Sequence, residues 1–441
     1  MAVVQPARKG VVSNVLRGSI GNLIEWYDWY AYTAFSVYFA ATFFPKGDQT
    51  AQLLNTAAIF AVGFLMRPIG GWLLGTFADR FGRRTALTFS VLLMAVGSLM
   101  ITFTPGYASI GVAAPILLVL ARLVQGISVG GEYATSATYL SEVATAGRRG
   151  FYSSFQYVTL TGGQLVALLV QIVLQQVLTR EELTSWGWRI AFAVGAVAAL
   201  GVMWLRRGMD ESESFEREAA VQAPTESRAR GQLRLLAQFP RECLLVAALT
   251  LGGTVAFYTY TTYLQKFMIN TSKIDPEVVT LINFVALLVF VGIQPLGGRL
   301  SDRVGRRPLL LFFGVVGTLA TVPLLTLLAQ TRNPIGAFLI MVAALLIVTG
   351  YTSINAVVKA ELFPTRIRAL GVGLPYALTV AIFGGTAEYV ALWCKKAGNE
   401  SLFFYYVAGC ILVSLIAYAR MRETSHSSRI DVEEPAAPTN S

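Results

Sequence analysis

Twelve apolar runs of 20 residues or more recur along this chain, at 15–43, 52–77, 86–105, 113–141, 151–178, 188–207, 241–268, 277–299, 308–328, 336–359, 370–393 and 402–421. About 20 apolar residues in a helix cross the hydrocarbon of a bilayer. No soluble domain has use for twelve such runs. Composition agrees, because only 14% of the 441 residues are charged, where a soluble domain carries about 25%. The expected fold is an all-α membrane protein with twelve transmembrane helices. The first run is long and contains Glu25 and Asp28, so it reads as an uncleaved span and not a signal peptide.

The net charge of +10 takes its meaning from where the basic residues fall. About 25 of the 35 Lys and Arg lie in the termini and in alternate loops, about 8 lie in the other loops, and Arg67 and Arg122 lie inside spans. The basic side of a membrane protein is cytoplasmic, so both termini are expected there. The surplus then reports topology and gives no reason to expect nucleic-acid binding. His426, the one histidine, sits in a polar tail that reads as disordered. A proton crossing the membrane must therefore ride on a carboxylate, and neither a histidine zinc site nor any other metal or cofactor is expected. Cys243, Cys394 and Cys410 lie in apolar stretches and read as small buried hydrophobes.

The chain repeats itself. GTFADRFGRR at 75–84 returns as GRLSDRVGRR at 298–307, Glu142 and Arg149 return as Glu361 and Arg368, and Gly162-Gly163 returns as Gly384-Gly385. Three matches at nearly one offset, 219 to 223 residues, point to a duplicated six-span unit, the organisation of transporters whose two halves rock. Four segments follow: a six-helix bundle over 1–207, a cytoplasmic linker over 208–240, a second bundle over 241–421 and a disordered tail over 422–441.

G-x-x-x-D-R-x-G-R-R between spans two and three, its second copy, and R-x-x-Q-G at Arg122, Gln125 and Gly126 resemble the signature of the major facilitator superfamily. GNLIEWYDWYAY (21–32), FLMRPIGG (64–71), GGEYATSATYLSE (130–142) and WGWRIAF (186–192) narrow the resemblance to its metabolite:H+ symporter family. That resemblance implies a monomeric carrier in a bacterial inner membrane. FYTYTTYLQKF (257–267), KAELFP (359–364) and FGGTAEYVAL (383–392) resemble members that take up α-ketoglutarate. The implied function is proton symport of a dicarboxylate by alternating access. Citrate, shikimate or a betaine-like osmolyte is the alternative cargo. Span five, TGGQLVALL, lacks the glycine–proline pattern of drug:proton exchangers, which favours symport.

Ionisable side chains inside the membrane are costly and need a reason. Asn22, Glu25, Asp28 and Tyr32 share one helical face within about 120°. A carboxylate there loses hydration of its charged form, which suits reversible protonation, although a permanent partner for an arginine is the competing reading. Arg122, Gln125, Glu132, Ser136 and Tyr139 form a polar stripe on span four. Arg122 either holds a substrate carboxylate or holds a span-one carboxylate until that group is protonated; the resemblance favours coupling. Glu132, a further proton-coupling candidate, is about 15 Å further along the axis and cannot pair with Arg122 directly.

A dianion needs fixed positive charge in its path. Arg67 is deep in span two; Arg189 and Lys266 are at span ends and are binders or interfacial anchors. Tyr258, Thr262 and Gln265 on span seven and Asn355 on span ten supply hydrogen bonds. Lys359 continues the line of Tyr351 and Asn355 and is expected at the cytoplasmic mouth. Glu388 is either a packing residue beside small neighbours or a proton or substrate site. Asp79, Arg80 and Arg83, their counterparts Asp302, Arg303 and Arg306, and Glu142 with Glu361 are gating candidates at helix ends, with capping as the plainer role. No catalytic residue is expected, since a membrane-embedded enzyme would need a nucleophile–base pair or metal cluster in a span. A sensor that binds without transport is the remaining class.

Overall fold

The computed structural model describes residues 8–45, 47–81, 83–130, 146–206, 235–364, 367–425, 428 and 430; at residues 8–22, 75–76, 78–80, 83–84, 87, 146 and 205–206 the backbone alone is described. Twelve long helical elements run through the described residues. They are α1 (Arg8–Phe43), α2 (Gln49–Phe81), α3 (Arg83–Phe103), α4 (Ala113–Val129), α5 (Arg149–Val177), α6 (Arg180–Trp204), α7 (Pro240–Asn270), α8 (Pro276–Val304), α9 (Arg306–Gln330), α10 (Pro334–Glu361), α11 (Arg368–Lys396) and α12 (Ser401–Arg420). Nine of the described helices are long and apolar enough to cross a bilayer. Trp72, Val177, Trp204, Leu244 and Leu319 are each more than three-fifths exposed, which in water would be a liability and in lipid is the matching surface.

The chain divides into two compact units. The first comprises Met1–Glu132, Thr159–Thr225 and Asp275–Phe284; the second comprises Tyr133–Val158, Glu226–Ile274 and Val285–Ser441. In the first unit α2 and α4 meet backbone to backbone. A Cβ on Gly126 would lie 2.2 Å from the Gly63 carbonyl oxygen, and one on Gly130 2.1 Å from that of Arg67. Small residues allow this approach where the bilayer gives no hydrophobic drive to helix association. It fixes Arg67 beside α4.

Each Gly-Gly pair of the repeat places one glycine at a helix contact, the second of the pair in α5 and the first in α11. A Cβ on Gly163 of α5 would lie 2.6 Å from the Trp26 Cβ of α1, and one on Gly384 of α11 would lie 2.7 Å from Thr254 Oγ1 of α7. Each glycine seats one helix of its unit against another.

Several helices of the second unit are interrupted. α7 opens into a π-helical turn at Thr259–Tyr263, α11 does so at Val380–Gly384, and α10 breaks between Thr352 and Asn355. Such irregularities frequently mark functional sites. Between α8 and α9, Gly305 has φ 95°, a left-handed turn that favours glycine. This accounts for the glycine of the second D-R-x-G-R-R copy.

The chain after α12 departs from the disorder expected from residue 422. Glu423 accepts hydrogen bonds from the backbone N–H groups of Arg306 (2.8 Å) and Arg307 (2.9 Å), capping the start of α9. A helix start carries orphan donors, and this carboxylate satisfies two of them. His426 lies outside the described residues.

Candidate functional site

Asp28 is fully buried among three other helices of the first unit. Its Oδ2 accepts from Ser98 Oγ on α3 at 2.5 Å, Ser98 Oγ accepts from Gln125 Nε2 on α4 at 2.9 Å, and Gln125 Oε1 accepts from Arg122 Nη1 at 2.7 Å. Asp28 and Arg122 are therefore joined by a Ser98–Gln125 relay. No direct ion pair between them occurs among the described residues; Gln125 stands between, accepting from Arg122 Nη1. Asp28 Oδ1 is buried without a hydrogen-bond partner among the described residues. A Cβ on Gly195 of α6 would fall 1.8 Å from it. An oxygen without a donor can take a proton without first breaking a hydrogen bond. Glu25, one turn earlier, accepts from Ser90 Oγ of α3 at 3.1 Å.

Arg67 and Arg122 converge on one indole. Their guanidinium carbons lie 4.2 and 4.1 Å from the Trp29 ring centroid; Phe64 lies 3.9 Å from Arg67, and Tyr32 4.4 Å from Arg122. Cation–π contacts of this kind are worth about 0.5–2 kcal/mol each. They hold the charge but leave N–H donors unused. Nε and Nη2 of both arginines are buried without a hydrogen-bond partner among the described residues. Leaving a buried donor unsatisfied costs about 1–3 kcal/mol, more for a charged group. Four such donors on two fixed cations suit one or two carboxylates, each of which accepts in the geometry that a guanidinium offers.

Arg189 does not join them. Its Nε and Nη2 donate to the carbonyls of Thr102 and Thr104, both at 3.1 Å, and Nη1 donates to Ser185 O at 3.3 Å. The first two bonds satisfy orphan acceptors at the end of α3. The sequence left Arg189 as a binder or an interfacial anchor; in this structure its donors meet backbone carbonyls.

In the second unit Lys266 is not an interfacial anchor. It is buried on α7 and donates directly to Glu388 Oε1 on α11. Tyr258, Thr262 and Gln265 are buried on the same helix. Lys359, expected at the cytoplasmic mouth, is fully buried by its neighbours. Its Nζ lies 2.9 Å from Asn355 Oδ1, 3.4 Å from the Tyr351 hydroxyl and 4.1 Å from the Tyr376 ring centroid. Tyr157 on α5 is buried, with its ring 5.0 Å from that of Phe257 on α7. The spacing of Tyr351, Asn355 and Lys359 anticipated this line, which forms across the break in α10.

Among the gating candidates, Asp302 caps α5, accepting from the N–H groups of Gly150 (2.8 Å) and Phe151 (2.9 Å). Arg306 bridges Asp302 at 2.8 Å and Glu361 at 3.5 Å, and Thr424 donates to Glu361 at 2.5 Å. Arg303 is exposed. Glu132 and Glu142, and the side chains of Asp79, Arg80 and Arg83, lie outside the described residues. Sequence reasoning missed Ser98, Trp29 and Gly195. A serine, an aromatic ring and a glycine in apolar spans carry no signal of their own.

The model of the Major Facilitator Superfamily matches residues 18–387. The chain is 50% identical over 416 residues to the alpha-ketoglutarate permease of Escherichia coli K12, covering 94% of this chain and 95% of that one. It is 32% identical over 427 residues to the citrate-proton symporter of Salmonella typhi, covering 96% of each. Among solved structures, the proton:xylose symporter XylE bound to 6-bromo-6-deoxy-D-glucose superposes with a TM-score of 0.74 at 20% identity, covering 96% of this chain and 98% of that one. The arrangement is thus a twelve-helix transporter fold, and nothing in these relatives is an enzyme.

Proposed function

The chain belongs to the Major Facilitator Superfamily, a multi-pass membrane protein, and on that premise we propose that it takes up α-ketoglutarate together with protons by alternating access. The observation that carries this reading is the 50% identity, over nearly the whole chain, to an alpha-ketoglutarate permease. Two buried guanidinium groups with unused donors support it, since an uncompensated dianion could not enter an apolar interior.

In this reading Arg67 and Arg122 bind substrate carboxylate in the first unit. Lys266, Tyr258, Thr262, Gln265 and Asn355 serve the second. Asp28 carries the proton, with Glu25 and Glu388 as further acceptors, and the Ser98–Gln125 relay reports its state to Arg122. The bundles 1–207 and 241–421 move about the linker 208–240, and the Asp302 cap on α5 releases as they do. The carrier works as a monomer in a bacterial inner membrane with both termini in the cytoplasm.

A thermal-shift screen against mono-, di- and tricarboxylates tests the cargo, because a ligand at 100 times its Kd stabilises by about 2.7 kcal/mol. α-Ketoglutarate is expected to raise Tm. A response confined to citrate, shikimate or betaine would replace the substrate.

A further inference from the structure

Lys266 and Glu388 form a direct ion pair at 1% and 4% exposure. A buried pair of this kind gains little over an apolar pair of the same volume, so stability alone gives no reason for it. Both partners follow irregular backbone. Lys266 is three residues beyond the π-helical turn Thr259–Tyr263. Glu388 follows the turn Val380–Gly384 and stands in the first turn of the helix Ala387–Lys396. Turns of this type are rare and frequently stand at functional sites.

Charge then limits what can happen at this place. The resident pair is neutral. A carboxylate brought to Lys266 leaves a buried net charge of −1, unless Glu388 accepts a proton, which restores neutrality. We propose that Lys266 and Glu388 are an exchange pair: one substrate carboxylate takes the ammonium, and Glu388, losing its cation, takes a proton from the side that supplied the substrate. This inference rests on the α-ketoglutarate reading. It adds the groups that demand a second carboxylate and take up a proton with it.

Among the described residues Tyr263 on α7 faces Glu388 and also Glu400 and Cys394, while Lys395 on α11 faces Glu400 and Lys273. Tyr263 donates to Glu400 at 3.4 Å, and Lys395 lies 3.5 Å from Glu400. Tyr263 and Lys395 both engage Glu400, and Glu388 is the carboxylate that pairs with Lys266.

The test is binding of labelled α-ketoglutarate to the purified full-length protein between pH 6 and 8, with competition by 2-oxopentanoate, a monocarboxylate of equal chain length. Each proton taken up with substrate weakens binding roughly tenfold per pH unit above the acceptor's titration. Glu388→Gln should lower that slope by one proton, and Lys266→Met should bind the two ligands alike. A Glu388→Gln variant with the parent slope, or a Lys266→Met variant with the parent preference, would overturn the exchange pair. Should either single variant fail to fold, the double variant Lys266→Met/Glu388→Gln removes both charges; it must lose the preference and one proton of slope, and keeping either overturns the pair. A parent protein that binds no α-ketoglutarate at any pH overturns the substrate reading itself.

Discussion

At the residue scale the account depends on side chains whose surroundings restrict them to few states. Asp28 has one oxygen held by Ser98 and one without a donor, with Gly195 closing over it. Asp28→Asn should abolish accumulation against a gradient while sparing exchange of internal for external substrate; accumulation at the parent level would remove Asp28 from coupling. Gly195→Ala is the sharper probe, because the added methyl displaces the carboxylate without changing charge. It should mimic Asp28→Asn in the same flux assay, and parent-like accumulation would show that the seat is irrelevant. Arg67 separates charge from geometry. Lysine keeps the cation but loses the planar fork, so Arg67→Lys should weaken α-ketoglutarate binding about 10–100-fold, the worth of one charged hydrogen bond of about 1.5–3 kcal/mol. Parent-like binding by both Arg67→Lys and Arg67→Ala would place Arg67 outside the site. None of these contacts was legible in the sequence beyond its charged members. Arg67, Arg122 and Asp28 stand out in an apolar run, whereas Ser98 and Gly195 gain meaning only when α3 and α6 are packed against α1.

At the element scale two close approaches decide the geometry. Gly126→Leu would drive a side chain into the Gly63 carbonyl, 2.2 Å from the built Cβ. It should separate α2 from α4, lower Tm and remove substrate response together. A variant with parent Tm and parent binding would mean that the arginines do not depend on this contact. The α9 cap is a titration experiment. Burial pushes Glu423 up, but the N–H groups of Arg306 and Arg307 and the hydrogen bonds from Ser425 outweigh it and hold it below the usual glutamate value of 4.5. A depressed carboxylate stabilises the fold fully above its unfolded value and loses that contribution as pH falls through its lowered value. Glu423→Gln should therefore cost about 1 kcal/mol at pH 7, as other caps do, and the difference should shrink under acid. A pH-independent difference would contradict this. Helix number and the repeat were legible here, since both depend on long apolar runs and on motif spacing. The breaks in α7, α10 and α11 were not, because Thr259, Ser353 and Gly385 read as ordinary polar or small residues of a span. The order at Glu423 was hidden by a polar tail whose composition resembles a solvated one.

At the scale of the whole molecule, a duplicated six-span sequence and buried charge in each unit are joined in one claim: a proton gradient drives a dicarboxylate through a chain that has no histidine in its apolar runs. The measurement that tests it most directly is uptake of labelled α-ketoglutarate into proteoliposomes holding the purified protein, with an imposed pH gradient, alkaline inside. The account predicts accumulation above the external concentration, its collapse when a protonophore is added, and its loss in Asp28→Asn. Accumulation that survives the protonophore, or equilibration with no dependence on the gradient, would contradict it.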